Sequence, residues 1–293
     1  MRGCGSINSI RCLSMRRSRS ASPRLICPPP VLDTKIRIFA MPKIASLSVQ
    51  VEGQGPPLLL VHGFGISFNI WSSLLPRLSP HFTLVIPELP GIGSSDLPPA
   101  RAHYLQAAAH ALRDLRRELG FSQWNVLGYS SGSRVAEAYL NLDAQAVQRA
   151  ILLCPLKAPL HAAWGLRLAL WLDSHWSRTG DFILSGSRLD FLIRLLAFNL
   201  RPHPLSAVWM REISACRREI LKRTLRSLPA GAGRPFQLPN VPVLMVWGKH
   251  DWISVPPRRP GPHDCLVNAN HSAPVTAAGQ VADAILPFLS LVE

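Results

Sequence analysis

The chain lacks the long apolar run that a membrane-spanning helix requires. Such a helix takes about 20 consecutive apolar residues, and no stretch of the 293 residues approaches that length, although 47% of them are hydrophobic. Internal repeats are also lacking, as are low-complexity tracts beyond the first 40 residues. The sequence therefore predicts no transmembrane helix, and a chain of this length can bury a sizeable core.

Cysteine is sparse and shows no ligand-like spacing. The six cysteines form no C-x-x-C pair, and none is spaced with histidine in the manner of a zinc site. They are Cys4, Cys12, Cys27, Cys154, Cys216 and Cys265. We therefore expect a reduced compartment, no disulfide framework and no bound metal ion.

Acidic residues are few, at 17 against 32 lysines and arginines, which gives a net charge of +15. The excess is confined to two segments. Residues 1–40 contain eight basic side chains against one acid, and residues 157–239 contain thirteen against five. Residues 41–156 and 240–293 together contain eleven of each sign. A neutral main fold argues against a nucleic-acid partner, which usually requires a basic patch on the fold itself.

Residues 1–40 are rich in arginine and serine and have no acid before Asp33. This composition is typical of an organellar transit peptide, and the segment lacks the apolar stretch of a secretory signal. The alternative is an upstream extension of the reading frame, with translation starting at Met41. The first interpretation predicts a chloroplast or mitochondrial protein, and the second a cytoplasmic one. Under both, the folded domain spans 41–293, and the first 40 residues are a disordered basic leader or are not translated.

Short apolar runs alternate with amphipathic segments along most of the chain. The predicted strands lie at 46–51, 57–61, 82–86, 124–127, 150–154, 241–247 and 265–267, and the predicted helices at 68–78, 104–119, 131 onward and 274–291. This alternation predicts a parallel sheet with helices on both faces. Residues 157–237 have helical patterns but no strand pattern, which predicts an all-α insertion.

Residues Gly128–Gly132 read G-x-S-x-G and directly follow an apolar run. A strand that turns sharply into a helix folds back within a few residues, and the two glycines remove Cβ atoms that would clash there. Ser130 would then stand on the turn, beside a helix N-terminus that favours negative charge. The pentapeptide alone is a weak signal, because an ordinary Gly-Ser loop has the same composition.

Candidate catalytic side chains follow several predicted strands, and the carboxyl ends of parallel strands meet at one edge of a sheet. Ser130, Asp251 and His271 each come just past a strand, in that order, whereas Asp264 precedes its strand. Serine attacks well only when a base takes its proton, and that base needs a carboxylate to orient it. The pattern predicts nucleophilic catalysis. A surface acid at position 251 and a structural histidine at position 271 are the alternatives.

Together these motifs resemble the α/β-hydrolase fold superfamily, and within it the cap-bearing serine hydrolases. The match runs over about residues 44–291, interrupted by the insertion. Its motifs are H-G-x-G at 62–65, a glycine-rich loop at 88–95, the nucleophile elbow at 128–132, G-x-x-D at 248–251 and a late histidine at 271. The resemblance implies an α/β fold with an eight-stranded, mostly parallel, doubly wound sheet and an all-α cap after the sixth strand, at about 157–237.

The sequence departs from the family pattern in three places. Glu88 stands where the family usually has aspartate, and Asn270 stands where it often has glycine. The gap of 20 residues between Asp251 and His271 is also short. None of these departures removes a catalytic group.

The resemblance also implies a role for each site residue. Ser130 would be the nucleophile, His271 the general base and then acid, and Asp251 the carboxylate that orients the imidazole. The backbone N–H groups of Phe64 and Ser131 would bind the oxyanion. No metal or organic cofactor takes part. Three further polar residues in these loops are expected to be structural: His62, Glu88 and Asp96.

The cap contains four of the chain's eight tryptophans. Trp164, Trp171 and Trp209 are candidates for lining an apolar substrate pocket. Residues 206–228 are predicted as one helix, whose apolar stripe backs a face with six basic residues. That face is solvated, makes weak contact with an anionic membrane surface, or steers an anionic substrate.

The expected function is hydrolysis of an ester, thioester or related acyl bond in a small to medium, largely apolar molecule. An acyltransferase or a C–C bond hydrolase would use the same triad, and this scaffold also serves non-catalytic ligand-binding receptors, so these alternatives stay open. A serine at position 130 argues against dehalogenase and epoxide-hydrolase chemistry, which in this superfamily uses aspartate there. The sequence does not indicate an oligomeric state.

Overall fold

The strands form a single sheet in the computed structural model, which describes residues 42–156, 191, 194–195, 197–201, 203–228 and 236–290. They are β1 (Lys43–Ile44), β2 (Leu47–Gly53), β3 (Pro57–Val61), β4 (Thr83–Pro87), β5 (Trp124–Tyr129), β6 (Val147–Leu153), β7 (Val243–Gly248) and β8 (Asp264–Val267). The eight strands lie in the order β1-β2-β4-β3-β5-β6-β7-β8.

The sheet is antiparallel only at its first edge. β2 pairs antiparallel with β1 and with β4. All the other neighbouring pairs, from β4–β3 to β7–β8, are parallel. The predicted eight-stranded, mostly parallel sheet is therefore confirmed. Because the chain leaves β3, β5, β6, β7 and β8 on the same side, their carboxyl ends share one edge.

Helices cover both faces of this sheet. Among the described residues they include α1 (Leu75–Leu78), α2 (Tyr104–Glu118), α3 (Gly132–Leu142), α4 (Pro204–Ala215), α5 (Arg218–Ser227), α6 (Ala273–Thr276) and α7 (Ala278–Leu289). None of the helices in this part of the chain is both long and apolar enough to cross a bilayer.

Strand β3 shows why the fold needs both helical layers. Leu58 and Leu60 point into a cluster with side chains of α1 and α7, whereas Leu59 and Val61 point into a second cluster with α2 and α3. All four side chains are fully buried. Each such burial is worth about 1.5–3 kcal/mol, so a continuous apolar run is stable only where both faces are covered.

Two predicted helices are divided in the structure. The segment 68–78 forms a 3₁₀ turn at Phe68–Trp71 and then α1, with Pro76 in the first turn of α1. Proline is well tolerated there, because the first turn has no intrahelical partner for its N–H. The segment 274–291 forms α6 and α7, separated at Ala277, whose φ of −138° is not helical.

The predicted single helix at 206–228 is wrong in the same way. α4 ends before Cys216, and both Cys216 and Arg217 have extended backbone, with ψ of 142° and 124°. The apolar residues on either side of this break nevertheless keep a helical spacing, so the sequence pattern runs through it. α4 and α5 follow β6 in the chain, within the segment predicted as the cap.

Candidate active site

The turn after β5 places Ser130 at the carboxyl edge of the sheet. Ser130 has a φ of +54°, in the left-handed region that residues with a side chain rarely adopt. The turn is tight because glycine flanks it. A Cβ on Gly128 would lie 2.8 Å from the Cβ of Ala136, and a Cβ on Gly132 would collide with the carbonyl oxygens of Val61 and His62.

Ser130, His271 and Asp251 form a continuous hydrogen-bonded relay. The Oγ of Ser130 lies 2.8 Å from Nε2 of His271, and Nδ1 of His271 lies 2.7 Å from Oδ2 of Asp251. All three residues are buried. An ionised carboxylate only accepts hydrogen bonds, so Nδ1 carries the proton of a neutral imidazole and Nε2 is free to accept from the serine hydroxyl. The structure thus brings together the three residues that the sequence predicted for this chemistry.

Asp251 is fixed by hydrogen bonds from the loop that follows it. Its Oδ1 accepts from the backbone N–H groups of Ile253 and Ser254, both at 2.8 Å. The Ser254 hydroxyl in turn donates to the carbonyl oxygen of Pro155, at 2.5 Å. One carboxylate oxygen is therefore occupied by the backbone, and the other is directed at His271. Asp264, the competing acid, instead accepts from the Trp247 indole at 2.7 Å.

His271 is positioned through its backbone. The Tyr129 hydroxyl donates to the carbonyl oxygen of His271 at 2.8 Å. Oδ1 of Asn270 accepts from the N–H and the hydroxyl of Ser272, at 3.1 and 2.6 Å. A Cβ on Gly248 would lie 2.7 Å from the carbonyl oxygen of Asn270, so the glycine lets this loop approach β7. Asn270, a departure from the family pattern, therefore has a structural role of its own.

The β3 loop (residues 62–69) lies directly beside the serine. A Cβ on Gly63 would be 3.1 Å from the Cβ of Ser130. The two backbone N–H groups expected to bind an oxyanion belong to Phe64 in this loop and to Ser131, the N-cap of α3. Within the described part of the chain, neither N–H has a hydrogen-bond partner. Both remain available for a ligand oxygen.

His62 fastens the β3 loop and is not part of the relay. Its Nδ1 lies 2.9 Å from the carbonyl oxygen of Gly63, and its Nε2 accepts from the N–H of Leu89 at 2.9 Å. Burial lowers the pKa of this histidine, and the hydrogen bond to Gly63 and the charge of Glu88 only partly offset that effect. The neutral ring satisfies both partners, so the expected structural role is confirmed.

Glu88 and Asp96 fasten loops, as expected. The Glu88 carboxylate accepts from the Ser67 hydroxyl at 2.7 Å and from the N–H of Ser94 at 2.9 Å. A Cβ at Gly93 would overlap that carboxylate, so the longer side chain fits only against a glycine. Asp96 lies at the surface and pairs with Lys43 at 2.6 Å.

The segment predicted as the cap contributes contacts that the sequence did not predict. Glu212 of α4 accepts from Nδ2 of Asn69 at 2.5 Å and from the N–H of Ser67 at 3.2 Å. Trp209 is buried, with its ring centroid 4.8 Å from that of Phe198, so its predicted contact with substrate stays a prediction. Trp164 and Trp171 lie outside the described residues.

One group of side chains has the composition of a metal site. Ligand atoms of Cys154, Asp251 and His271 lie within 4.8 Å of one another. Asp251 and His271 are already hydrogen-bonded to each other, however, and burial raises the pKa of the Cys154 thiol well above its usual value. A metal ligand must be the thiolate, which this environment disfavours. The arrangement therefore fits a proton relay better than a metal centre.

Known proteins share the sequence pattern over part of their length. The chain is similar to a fluoroacetate dehalogenase of a Burkholderia species, with 37% identity over 93 residues covering 30% of this chain and 31% of the relative. It is similar to a pimeloyl-acyl-carrier-protein methyl ester esterase of Vibrio vulnificus, with 37% identity over 87 residues covering 30% and 32%. The match spans about a third of the length of these curated relatives.

The fold is shared over a longer stretch. A hydrolase from Oleispira antarctica superposes with a TM-score of 0.69 at 17% identity, covering 85% of this chain and 96% of that one. At such identity the likeness shows the fold alone. Residues 56–260, more than half of the chain, match the family described as alpha/beta hydrolase fold. The chain therefore belongs to the α/β-hydrolase fold family.

Proposed function

We propose that this chain is a serine hydrolase that cleaves an ester, thioester or related acyl bond through an acyl-enzyme. The observation that carries the proposal is the relay from Ser130 through His271 to Asp251, with contacts of 2.8 and 2.7 Å. A serine hydroxyl that donates to a neutral imidazole, itself oriented by a buried carboxylate, has the geometry that nucleophilic attack requires.

The first half-reaction forms the acyl-enzyme. Oγ of Ser130 attacks the carbonyl carbon while Nε2 of His271 takes the hydroxyl proton, and Asp251 stabilises the imidazolium. The carbonyl oxygen becomes an oxyanion that accepts from the N–H groups of Phe64 and Ser131. The tetrahedral intermediate then expels an alcohol or thiol, which receives the proton from His271.

The second half-reaction restores the enzyme. Water attacks the acyl carbon and gives a proton to Nε2 of His271, and the same two N–H groups bind the second oxyanion. Collapse of this intermediate breaks the bond to Oγ of Ser130, releases the carboxylic acid and returns the proton to the serine. Each group that the cycle needs belongs to the chain itself, so the proposal includes no cofactor.

The nucleophile separates this proposal from the chemistry of the dehalogenase relative. Displacement of a halide at a saturated carbon by Ser130 would leave an alkyl ether, which has no carbonyl for water to attack. Attack on an acyl carbon instead leaves an ester, which His271 and water can open. A serine at this turn therefore favours acyl chemistry.

We infer an apolar acyl group for the substrate from the apolar side chains that pack around the β3 loop. Ile213 of α4 and Leu221 of α5 would touch a Cβ on Gly65, at 3.0 Å each. Phe64 itself is partly buried and packs against the same apolar cluster. The described part of the cap thus covers the β3 loop with aliphatic side chains.

A panel of p-nitrophenyl esters with increasing acyl chain length tests the proposal. The wild type is expected to hydrolyse at least one of them. Asp251→Asn should lower kcat by about 10⁴-fold, because the imidazole loses the carboxylate that fixes its tautomer. Ser130→Ala should leave only background activity.

The matched control is Ser122→Ala, which removes the hydroxyl of an exposed serine outside the site and should leave kcat unchanged. Wild-type protein that is folded yet hydrolyses none of the esters would contradict the proposal. So would Ser130→Ala with wild-type activity.

A further inference from the structure

A carboxylate of the cap reaches into the β3 loop. Glu212 lies on α4, and its two oxygens accept from different parts of the loop: Oε1 from the side-chain amide of Asn69 at 2.5 Å, and Oε2 from the backbone N–H of Ser67 at 3.2 Å. These partners are 143 and 145 residues away in the chain. The contact is therefore a tertiary link between the cap and the edge of the sheet.

Ser67 is held from two sides. While Glu212 accepts from its N–H, the buried carboxylate of Glu88 accepts from its hydroxyl at 2.7 Å. Glu88 is in turn held by the N–H of Ser94. Burial raises the pKa of Glu212, the charge of Glu88 adds to this, and the hydrogen bonds from Asn69 and Ser67 oppose it. The hydrogen bonds therefore stabilise the ionised form of Glu212, whereas its burial destabilises that form.

Two cap helices, α4 and α5, also contact Gly65, which is the residue next to the candidate oxyanion donor Phe64. Gly65 follows Phe64 and has a φ of +63°. Its α-carbon lies so close to Ile213 and Leu221 that a Cβ would touch each at 3.0 Å. The Sγ of Cys216 donates to its carbonyl oxygen at 3.6 Å. The cap thus contacts the loop at Gly65, the residue directly after Phe64, and again at Ser67.

We propose that Glu212 is a positioning residue, which holds the β3 loop so that the N–H of Phe64 points at the oxyanion. The inference rests on the proposed hydrolase function. Glu212 touches neither substrate nor the reacting atoms, and it acts through Ser67 and Asn69. An oxyanion donor contributes mainly in the transition state, so loosening the loop should lower kcat and leave KM little changed.

The test replaces Glu212 by its isostere. Glu212→Gln cannot accept from both Ser67 and Asn69, because one oxygen becomes an N–H donor. Removal of an oxyanion donor typically costs about 10²–10³-fold in kcat, and a displaced donor should cost about tenfold. We expect this loss of kcat on the best p-nitrophenyl ester, with KM within about twofold. Glu219→Gln, an exposed acid on α5, is the matched control and should retain wild-type kcat.

A double variant that exchanges the carboxylate and amide groups of the pair distinguishes a loss of loop positioning from general damage to the fold. In the double variant Glu212→Gln with Asn69→Asp, the glutamine amide can donate to the new carboxylate while its oxygen accepts from the N–H of Ser67. Most of the lost kcat should return. If Glu212→Gln does not fold, Asn69→Ala removes one of the two contacts on its own, and it must lower kcat with KM unchanged.

The outcomes distinguish the two proposals. A folded wild type that hydrolyses no ester and is not modified at Ser130 by a fluorophosphonate would overturn the proposed function. An active wild type whose kcat is kept in Glu212→Gln, or in Asn69→Ala where the first variant does not fold, would overturn the role of Glu212 alone. A rise in KM with kcat unchanged would also overturn it, since that result assigns Glu212 to ground-state binding.

Discussion

Ser130 owes its position to its surroundings and not to its own backbone preference. A φ of +54° is unfavourable for a residue with a Cβ, at a cost of about 1–3 kcal/mol. Three hydrogen bonds hold it there: its N–H donates to the carbonyl oxygen of Leu153 at 3.0 Å, and its carbonyl oxygen accepts from the N–H and the hydroxyl of Ser133, at 3.0 and 2.5 Å. The strain is local, and it raises Oγ to within hydrogen-bonding distance of His271.

His62 should make stability depend on pH. Its folded-state pKa lies below the 6.5 of an exposed histidine, so the unfolded chain binds a proton that the folded chain does not. The stabilisation is fully present above about pH 6.5 and is lost as the pH falls towards the folded-state pKa. The free energy of unfolding from urea titrations should therefore fall more steeply below that pH in the wild type than in His62→Gln.

The other histidines contribute equally to the pH dependence of unfolding in the wild type and in His62→Gln, so the difference between the two proteins reports on His62. His62→Gln should be less stable at pH 7.5, because it loses at least one of the contacts to Gly63 and Leu89, and the difference should narrow on acidification. A difference that is constant from pH 7.5 to 5 would show that His62 is not held neutral.

Ser130 and Asp251 were predictable because they follow β5 and β7, which apolar runs in the sequence mark clearly. His271 follows β8, whose sequence pattern is weaker, and its position after the serine and the acid in the chain supported its prediction. The edge where parallel strands end then fixes which side chains can meet. Glu212 was not predictable, since its partners Ser67 and Asn69 are remote in the chain. The sequence around Glu212 shows only an acid at the edge of an apolar stripe, between Trp209 and Ile213 on α4.

At the scale of elements, the turn from β5 to α3 depends on the absence of a side chain at Gly132. Gly132→Ala would place a methyl group against the carbonyl oxygens of Val61 and His62, so the start of α3 must move away from β3. Overpacking of this kind costs about 1–3 kcal/mol, and we expect a loss of stability in that range by urea unfolding. Because the displaced helix carries Ser131, kcat should fall as well.

Gly279→Ala is the matched control. Gly279 lies at the start of α7, and an added Cβ would meet only the Arg77 side chain, at 3.7 Å, an ordinary contact. Alanine in a helix is stabilising by roughly 0.5–1 kcal/mol relative to glycine, so this variant should be slightly more stable than the wild type. Equal effects of the two substitutions would refute the steric explanation of the turn.

The break between α4 and α5 was not predictable from the sequence, for a physical reason. Apolar side chains on α4 and α5, such as Ile213 and Ile220, keep a helical spacing across the break at Cys216 and Arg217. Neither glycine nor proline marks that break, so periodicity alone predicts one helix. At the break the backbone is extended at 216 and 217, and the Sγ of Cys216 donates to the carbonyl oxygen of Gly65 at 3.6 Å, a partner that lies far away in the sequence.

For the whole molecule, the excess positive charge lies in residues 1–40 and in the segment predicted as the cap, and the rest of the chain is neutral. Residues 157–239 have thirteen basic side chains against five acids. Such a field raises the rate of encounter with anions, and salt screens it. We therefore expect kcat/KM for an ester that bears a carboxylate to fall more steeply with added sodium chloride than kcat/KM for its neutral analogue. Identical salt dependence of the two would argue against electrostatic steering.

The most direct test of the central claim is to identify the residue that a fluorophosphonate modifies. Intact protein treated with the probe should gain one adduct, and peptide mapping by mass spectrometry should place it on Ser130. His271→Ala should react far more slowly, because the serine has lost its base. An unlabelled, folded wild type, or an adduct on any residue other than Ser130, would contradict the assignment of a serine nucleophile to this fold.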